Sequence, residues 1–191
     1  DFSFTRNGEK ILFDFAYITI HGVPGENGLL QGYLDMMGVP YGCCNVLASA
    51  LTFDKHTCNT YLKSYRGNVA DSVMVIRGMA YDVNEIINEV GLPCFVKPNA
   101  EGSSFGVTKV KEAAQLEDAL KKAFALCREV LIETFIDGTE LTCGVVKAGD
   151  MDITMPIAEV VPKNEFFDFE AKYDPTKSDE IIPARISPEL T

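Results

Sequence analysis

The sequence lacks the features that assign a chain to several common classes. No run of residues approaches the roughly 18 apolar positions that span a bilayer. Only two histidines are present, and none of the six cysteines forms a Cys-x-x-Cys pair. This scarcity of paired ligands argues against a zinc site. We expect buried, reduced thiols in a cytoplasmic protein that has no membrane partner.

Positive charge is also scarce. The formal net charge is −11, and the basic residues are scattered along the chain. A nucleic-acid binder normally carries a basic stripe, so we expect no nucleic-acid partner. Binding of ATP is still compatible with this charge, because local donors matter more than the total.

Hydrophobic periodicity predicts an α/β protein. A predicted strand over 13–20 leads into a glycine-rich loop over 21–28, and a helix with Asn27 as its N-cap and Gly38 at its end follows. Strand–loop–helix units bind ligands at the carboxyl ends of their strands.

The rest of the chain alternates between both kinds of element. The further helices predicted are two short ones within 45–65, with Asp54 capping the second, one that Asp82 caps and that runs through 90, and one over 112–126. Strands are predicted over 69–76, 94–97, 107–110, 129–133, 141–146 and 153–161. The tail from 164 onward is charged and irregular, so we expect a long functional loop there.

The segment Gly102-Ser103-Ser104-Phe105-Gly106 has two possible interpretations. It matches the Gly-x-Ser-x-Gly elbow of α/β-hydrolases, in which a helix follows the serine and a histidine follows later in the chain. Both histidines here precede the segment, and residues 107–110 favour a strand. The hydrolase interpretation is therefore disfavoured.

The other interpretation is a phosphate-binding loop. Small residues let backbone N–H groups approach an anion, and Lys97 on the preceding strand can add an ammonium group. The chain has no Gly-x-x-x-x-Gly-Lys-Ser/Thr motif, so it is not a P-loop protein. Taken alone, the segment is equally compatible with a solvated turn.

Two carboxylates suit the remainder of a nucleotide. The apolar strand over 130–136 carries Glu133, and Glu140 follows a short turn later. An adenine slot needs apolar walls with hydrogen-bonding groups at its edge, and a ribose needs an acceptor. Without further context, each glutamate is also compatible with an ordinary surface charge.

Four segments together resemble the D-alanine–D-alanine ligases of the ATP-grasp superfamily, in order and over nearly the whole chain. The segments are HGVPGENGLLQG (21–32), KPNAEGSSFGV (97–107), IETFIDGTE (132–140) and FDFEAKY (167–173). In that family the last segment is a mobile ω-loop.

The resemblance implies a role for each matching residue. Residues implied to bind ATP are Lys55, Lys97, Ser103, Ser104 and Lys172 at the phosphates, Glu133, Thr134, Phe135 and Ile136 at adenine, and Glu140 at ribose. The implied catalytic residues are Ser103, Lys172 and Tyr173, with Ser103 hydrogen-bonded to Tyr173 when the ω-loop closes. His21 and Glu26 are implied to line the D-alanine pocket.

The resemblance also implies a fold and a reaction. Residues 1–45 would end an N-terminal open-sheet substrate domain, and 46–191 would form the ATP-grasp region, with a small subdomain at about 65–140 and the start of the catalytic sheet and the ω-loop at about 141–191. ATP would activate one D-alanine as an acyl phosphate, and a second would attack it, for synthesis of the peptidoglycan precursor. Mg²⁺ or Mn²⁺ would assist, and the full-length enzyme would be a homodimer.

The chain departs from the family pattern in its metal ligands. The family's Glu-x-Asn pair is absent, and so is an initiator Met. We therefore expect a fragment truncated at both ends that has no metal site of its own and is inactive, although its parent is active. Open alternatives are a D-alanine–D-lactate ligase, another ATP-grasp carboxylate–amine ligase, and a nucleotide-binding module without activity.

Overall fold

In the computed structural model, helices and strands alternate along the chain, which is described over residues 2–163, 166, 169–174 and 176–190. Two units are formed, Asp1–Phe135 and Ile136–Thr191. Among the described residues, every helix is too short or too polar to cross a membrane.

The first unit begins with a small hairpin that the sequence analysis did not predict. Strands β1 (Ser3–Arg6) and β2 (Glu9–Leu12) pair antiparallel across Asn7-Gly8. Both turn residues have positive φ, and Asn-Gly is the favoured pair for such a two-residue turn. The predicted strand over 13–20 is wrong in extent, because only β3 (Ala16–Tyr17) forms there, parallel to β4 (Tyr41–Gly42).

Helix α1 (Leu29–Met37) lies between these two strands in the sequence and ends at Gly38, as predicted. The predicted N-cap, Asn27, is wrong: the cap position belongs to Gly28. Gly28 has a φ of 88°, and a Cβ there would lie 2.8 Å from the backbone oxygen of Val46. Both the left-handed backbone and the close packing therefore require glycine at this position.

Helices α2 (Val46–Phe53) and α3 (Lys55–Ser64) meet at Asp54. The Asp54 carboxylate accepts a hydrogen bond from the backbone N–H of Thr57 at 2.7 Å. This is the geometry of an N-cap, so the predicted cap of the second helix is confirmed.

A four-stranded antiparallel sheet forms the core of the first unit. Its order is β5-β8-β6-β7, with β5 at Ser72–Ile76, β6 at Cys94–Pro98, β7 at Thr108–Val110 and β8 at Glu129–Thr134. Helix α4 (Val83–Val90), capped by Asp82 as predicted, packs on it together with α5 (Leu116–Leu126), which follows a 3₁₀ turn at Ala113–Gln115. The two helices bury the apolar face of the sheet.

The second unit contains a three-stranded antiparallel sheet and a separate hairpin. The sheet has the order β13-β12-β9, with β9 at Glu140–Thr142, β12 at Ala158–Pro162 and β13 at Ser178–Ile181. The hairpin pairs β10 (Val145–Ala148) with β11 (Met151–Thr154). The predicted strands over 141–146 and 153–161 are therefore each divided between two strands.

The tail is more regular than predicted. Helix α6 (Phe169–Tyr173) buries Ala171, β13 completes the sheet, and a 3₁₀ turn occupies Pro188–Leu190. Phe167 and Asp168 of the ω-loop segment lie outside the described residues.

The cysteine prediction holds in only one respect. All six thiols are free, but only Cys94 is buried, whereas Cys43, Cys44 and Cys143 are exposed. Apolar neighbours in the sequence therefore misled the prediction, because these cysteines lie near turns and element ends, where the chain meets solvent.

Candidate functional site

The candidate phosphate loop follows β6 directly. Ser103 and Ser104 both have positive φ values, 52° and 56°, and Gly106 has 74°. Such backbone conformations are uncommon for non-glycine residues and are often found at functional sites. Strand β7 follows the loop, so the helix that a hydrolase elbow requires is not present there.

Lys55 lies against this loop from the first position of α3. Its Nζ donates hydrogen bonds to the backbone oxygens of Asn99 at 3.2 Å and Glu101 at 2.6 Å. Burial, followed by repulsion from Lys97, lowers the pKa of Lys55. Two cationic side chains therefore lie close together beside the loop.

Lys97 forms an ion pair with Glu133. Phe95 of β6 pairs with Glu133 of β8, so Lys97, two residues further along β6, points to the same face of the sheet. The amide Nδ2 of Asn59 donates to the other oxygen of Glu133 at 2.8 Å. Both side chains of the pair are largely buried, with 20% of Lys97 and 12% of Glu133 exposed.

The residues after Glu133 are held by their backbone. Thr134 N–H donates to the oxygen of Asp71 at 2.9 Å, and Phe135 N–H donates to the oxygen of Pro93 at 3.2 Å. The ammonium of Lys109 lies 3.8 Å from the centre of the Phe135 ring, a cation–π contact. Hydrogen bonds therefore hold the backbone of the strand predicted to bind adenine as far as Phe135, the last residue of the first unit.

The two predicted D-alanine residues lie on one loop. Glu26 accepts a hydrogen bond from the backbone N–H of Gly22, and its other oxygen lies 3.8 Å from Nδ1 of His21. Both residues line a cavity of about 470 Å³. A Cβ placed on Gly102 would lie 3.1 Å from the Glu26 carboxylate, so Glu26 also lies beside the candidate phosphate loop.

Within the second unit, Glu140 and Lys172 interact electrostatically. Burial of its carboxyl group raises the pKa of Glu140, and the charge of Lys172 partly opposes that shift. Tyr173 packs its ring 4.8 Å from that of Phe169 and is half exposed. Ile136, the first residue of this unit, is exposed.

Potential metal ligands do not cluster in the part of the chain that the structure describes. Within residues 2–163, 166, 169–174 and 176–190, no three His, Cys, Asp or Glu side chains gather closely enough to hold a metal ion.

Two asparagines at the site were not anticipated. Asn59 donates a hydrogen bond to Glu133, and Asn99 donates hydrogen bonds to Asp54 and Glu129. Asn59 lies within a helix and Asn99 in a loop, both ordinary settings for asparagine, and their partners are 30 to 74 residues away in sequence. No local pattern distinguishes them.

Solved structures show the fold class of the chain. VanG D-Ala:D-Ser ligase from Enterococcus faecalis is similar with a TM-score of 0.79 at 34% identity, over 95% of this chain and 53% of that one. D-alanyl-alanine synthetase A from Vibrio cholerae is similar with a TM-score of 0.84 at 25% identity, over 98% and 58%. The predicted ATP-grasp fold is confirmed.

The sequence comparisons point to one family. Residues 68–191 match the family described as D-ala D-ala ligase C-terminus, and the chain belongs to this family. It is 58% identical to the D-alanine–D-alanine ligase of Phocaeicola vulgatus and 53% identical to that of Porphyromonas gingivalis. In each comparison the whole chain is covered, but only 58% of the relative, so the chain spans about three fifths of their length.

Proposed function

We propose that this chain serves the ATP-dependent joining of two D-alanine molecules to D-alanyl-D-alanine, for peptidoglycan precursor synthesis. Membership of the ligase family supports the proposal. The observation that carries it is the cluster of Lys55, Lys97 and Glu133 beside the loop over 99–106. Two ammonium groups with one carboxylate leave a net positive charge, which suits a phosphate chain.

The cluster gives the phosphates and the adenine of ATP a partner each. Lys55 and Lys97 stabilise phosphate charge, with the loop around Ser103 and Ser104 supplying further donors. Glu133 accepts a hydrogen bond from the adenine amino group, beside Thr134, Phe135 and Ile136. Binding therefore replaces the Lys97–Glu133 contact with a phosphate at one end and the base at the other.

The proposed chemistry needs no covalent protein intermediate. A carboxylate oxygen of the first D-alanine attacks the γ-phosphorus, the bond to ADP breaks, and an acyl phosphate forms. The amine of the second D-alanine then attacks the acyl carbon, phosphate leaves, and the amine loses a proton to solvent. The chain contributes by positioning the reactants and stabilising phosphoryl charge.

The remaining assignments belong to the same proposal. His21 and Glu26 line the D-alanine pocket, Glu140 binds ribose, and Lys172 and Tyr173 close over the reactants with Ser103. Residues 1–45 end the substrate domain and 46–191 form the ATP-grasp region, with its small subdomain at about 65–140. We also propose a cytoplasmic homodimer that uses Mg²⁺ or Mn²⁺, whose ligands are not among the described residues.

Calorimetric titration of the chain with ATP tests the proposal. We expect Lys55→Ala to weaken binding by about tenfold or more, because a charge-assisted contact to phosphate is lost. Lys122→Ala, at an exposed position of α5, is the matched control and should bind as the unaltered chain does. Equal affinity in all three proteins would contradict the proposal.

A second candidate differs only in the second substrate. The similarity to a D-Ala:D-Ser ligase favours considering an acceptor other than D-alanine. Competition between D-alanine, D-serine and D-lactate, followed by the mass of the dipeptide or depsipeptide product, separates these activities.

A further inference from the structure

The side chain of Asn99, at the start of the candidate phosphate loop, is hydrogen-bonded through both its amide oxygen and its amide nitrogen. It follows β6, and only 1% of its surface is exposed. Its Oδ1 accepts from the backbone N–H of His56 at 2.8 Å, and its Nδ2 donates to Asp54 Oδ2 at 2.7 Å and to Glu129 Oε2 at 3.3 Å. Its backbone N–H donates to the oxygen of Glu129 at 2.9 Å, and its own oxygen accepts from Lys55.

These contacts complete the first turn of α3. Lys55 N–H donates to the backbone oxygen of Asn99, His56 N–H to its side chain, and Thr57 N–H to Asp54. A helix normally leaves its first N–H groups without partners inside the helix, where they can bind an anion. Here those donors are occupied, so the ammonium of Lys55, and not the helix end, is the group presented to the loop.

We propose that Asn99 is a positioning residue that holds Lys55 and the loop over 99–106 together as one phosphate-binding unit. This inference rests on the proposed function, in which Lys55 contacts ATP. A lysine side chain has a long flexible stem, so its ammonium is localised only where its backbone is fixed. Asn99 fixes that backbone through both Lys55 N–H and His56 N–H, while it begins the loop itself.

A purely structural role makes a different prediction. A residue that only supports the fold should lower the melting temperature without lowering the ATP affinity of the folded molecules. A positioning residue should lower the affinity at a temperature where the variant remains folded. Affinity must therefore be measured where circular dichroism shows every variant to be folded.

An exchange of side chains provides the sharp test. In Asn99→Asp, the donor to Asp54 is lost, and carboxylates face each other at positions 54, 99 and 129. In the double variant Asp54→Asn with Asn99→Asp, an amide at 54 donates to a carboxylate at 99. Acceptors for His56 N–H and Thr57 N–H are kept in the double variant. Asn84→Asp, at an exposed position in α4, is the control for added charge.

ATP affinity by calorimetry and hydrogen exchange of the His56 amide are measured on the 191-residue chain. We expect Asn99→Asp to bind ATP about tenfold more weakly, because buried partners are left without hydrogen bonds. Exchange at His56 should become faster. The double variant should recover part of both losses, because the carboxylates at 99 and 129 still face each other, and Asn84→Asp should match the unaltered chain. If Asn99→Asp does not fold, Asn99→Ser replaces it.

The outcomes separate the two proposals. An Asn99→Asp protein that is folded and binds ATP as tightly as the unaltered chain overturns the positioning role. So does an undiminished loss in the double variant. If the unaltered chain binds no ATP, the proposed function fails. The structural part of the inference, that Asn99 fixes the start of α3, is then judged by hydrogen exchange alone. It stands if the His56 amide exchanges faster in Asn99→Asp than in the other variants, and it fails if exchange is the same in all of them.

Discussion

The core sheet of the first unit and the separate hairpin of the second unit differ in how well their apolar residues are buried. In the first unit, Val130, Leu131 and Ile132 of β8 are completely buried. In the second unit, every residue of β10 and β11 is exposed, including Val146 and Ile153. Lys97 and Glu133 therefore lie on a packed sheet, which is the kind of support that holds side chains in a fixed geometry.

The two units also differ in their main ion pairs. Lys97 and Glu133 are both largely buried, and Asn59 satisfies the remaining carboxylate oxygen. Glu159 is buried, but 64% of its partner Arg185 is exposed. The first pair is thus shielded from solvent, and the second is a partly hydrated contact that joins β12 to the segment after β13.

The largest expected effect compares two isoleucines in strands. Ile132→Ala should destabilise the chain by about 2–5 kcal/mol, because it leaves a cavity in a closed core. Ile153→Ala, in the exposed hairpin, should cost less than about 1 kcal/mol. Chemical denaturation measures both. Equal costs would mean that the hairpin is buried in solution, and the contrast between the units would fail.

The next effect concerns the buried pair. Lys97→Met should cost about 1–3 kcal/mol, because Glu133 loses its charged partner. The double variant Lys97→Met with Glu133→Gln should recover most of this stability but should not recover ATP affinity. Denaturation and calorimetry give the two quantities. A double variant no more stable than the single one would contradict the ion pair.

The smallest effect concerns pH. Hydrogen bonds from Arg185 hold the pKa of Glu159 down at about 2, from a usual value of 4.5. Because the folded-state value is depressed, this contact stabilises the second unit fully above about pH 4.5, and its contribution is lost as the pH falls toward 2. Arg185→Met should weaken this dependence, which hydrogen exchange of the β12–β13 amides between pH 2 and 5 measures. Unchanged acid sensitivity would show that the contact contributes little.

The ends of helices were predictable from the sequence where they depend on contacts between residues a few positions apart. The caps at Asp54 and Asp82 and the helix end at Gly38 were predicted because each acts within a few residues. The hairpin at Asn7-Gly8 was not predicted, although the Asn-Gly pair is itself a local signal for a two-residue turn. Gly28, not Asn27, occupies the cap position of α1, and the close approach of Val46 from another helix, which has no local signal, requires glycine there.

The main residues of the candidate site were predictable from the sequence, but the hydrogen bonds that hold them in place were not. The resemblance proposed Lys55, Lys97 and Glu133, and the structure brings these three together. The roles of Asn59 and Asn99 depend on partners far away in sequence, and so does the contact of Glu159 with Arg185. Such contacts exist only once the sheets are assembled, so no periodicity or spacing reveals them.

If the chain binds ATP as proposed, the Lys97–Glu133 contact favours a complete nucleotide over either of its parts. A phosphate alone would draw Lys97 away and leave Glu133 as an uncompensated buried charge, while a nucleoside alone would engage Glu133 without compensating Lys97. A molecule that carries both ends replaces both halves of the pair at once. Pyrophosphate and adenosine should therefore each bind weakly alone, and each should strengthen the binding of the other.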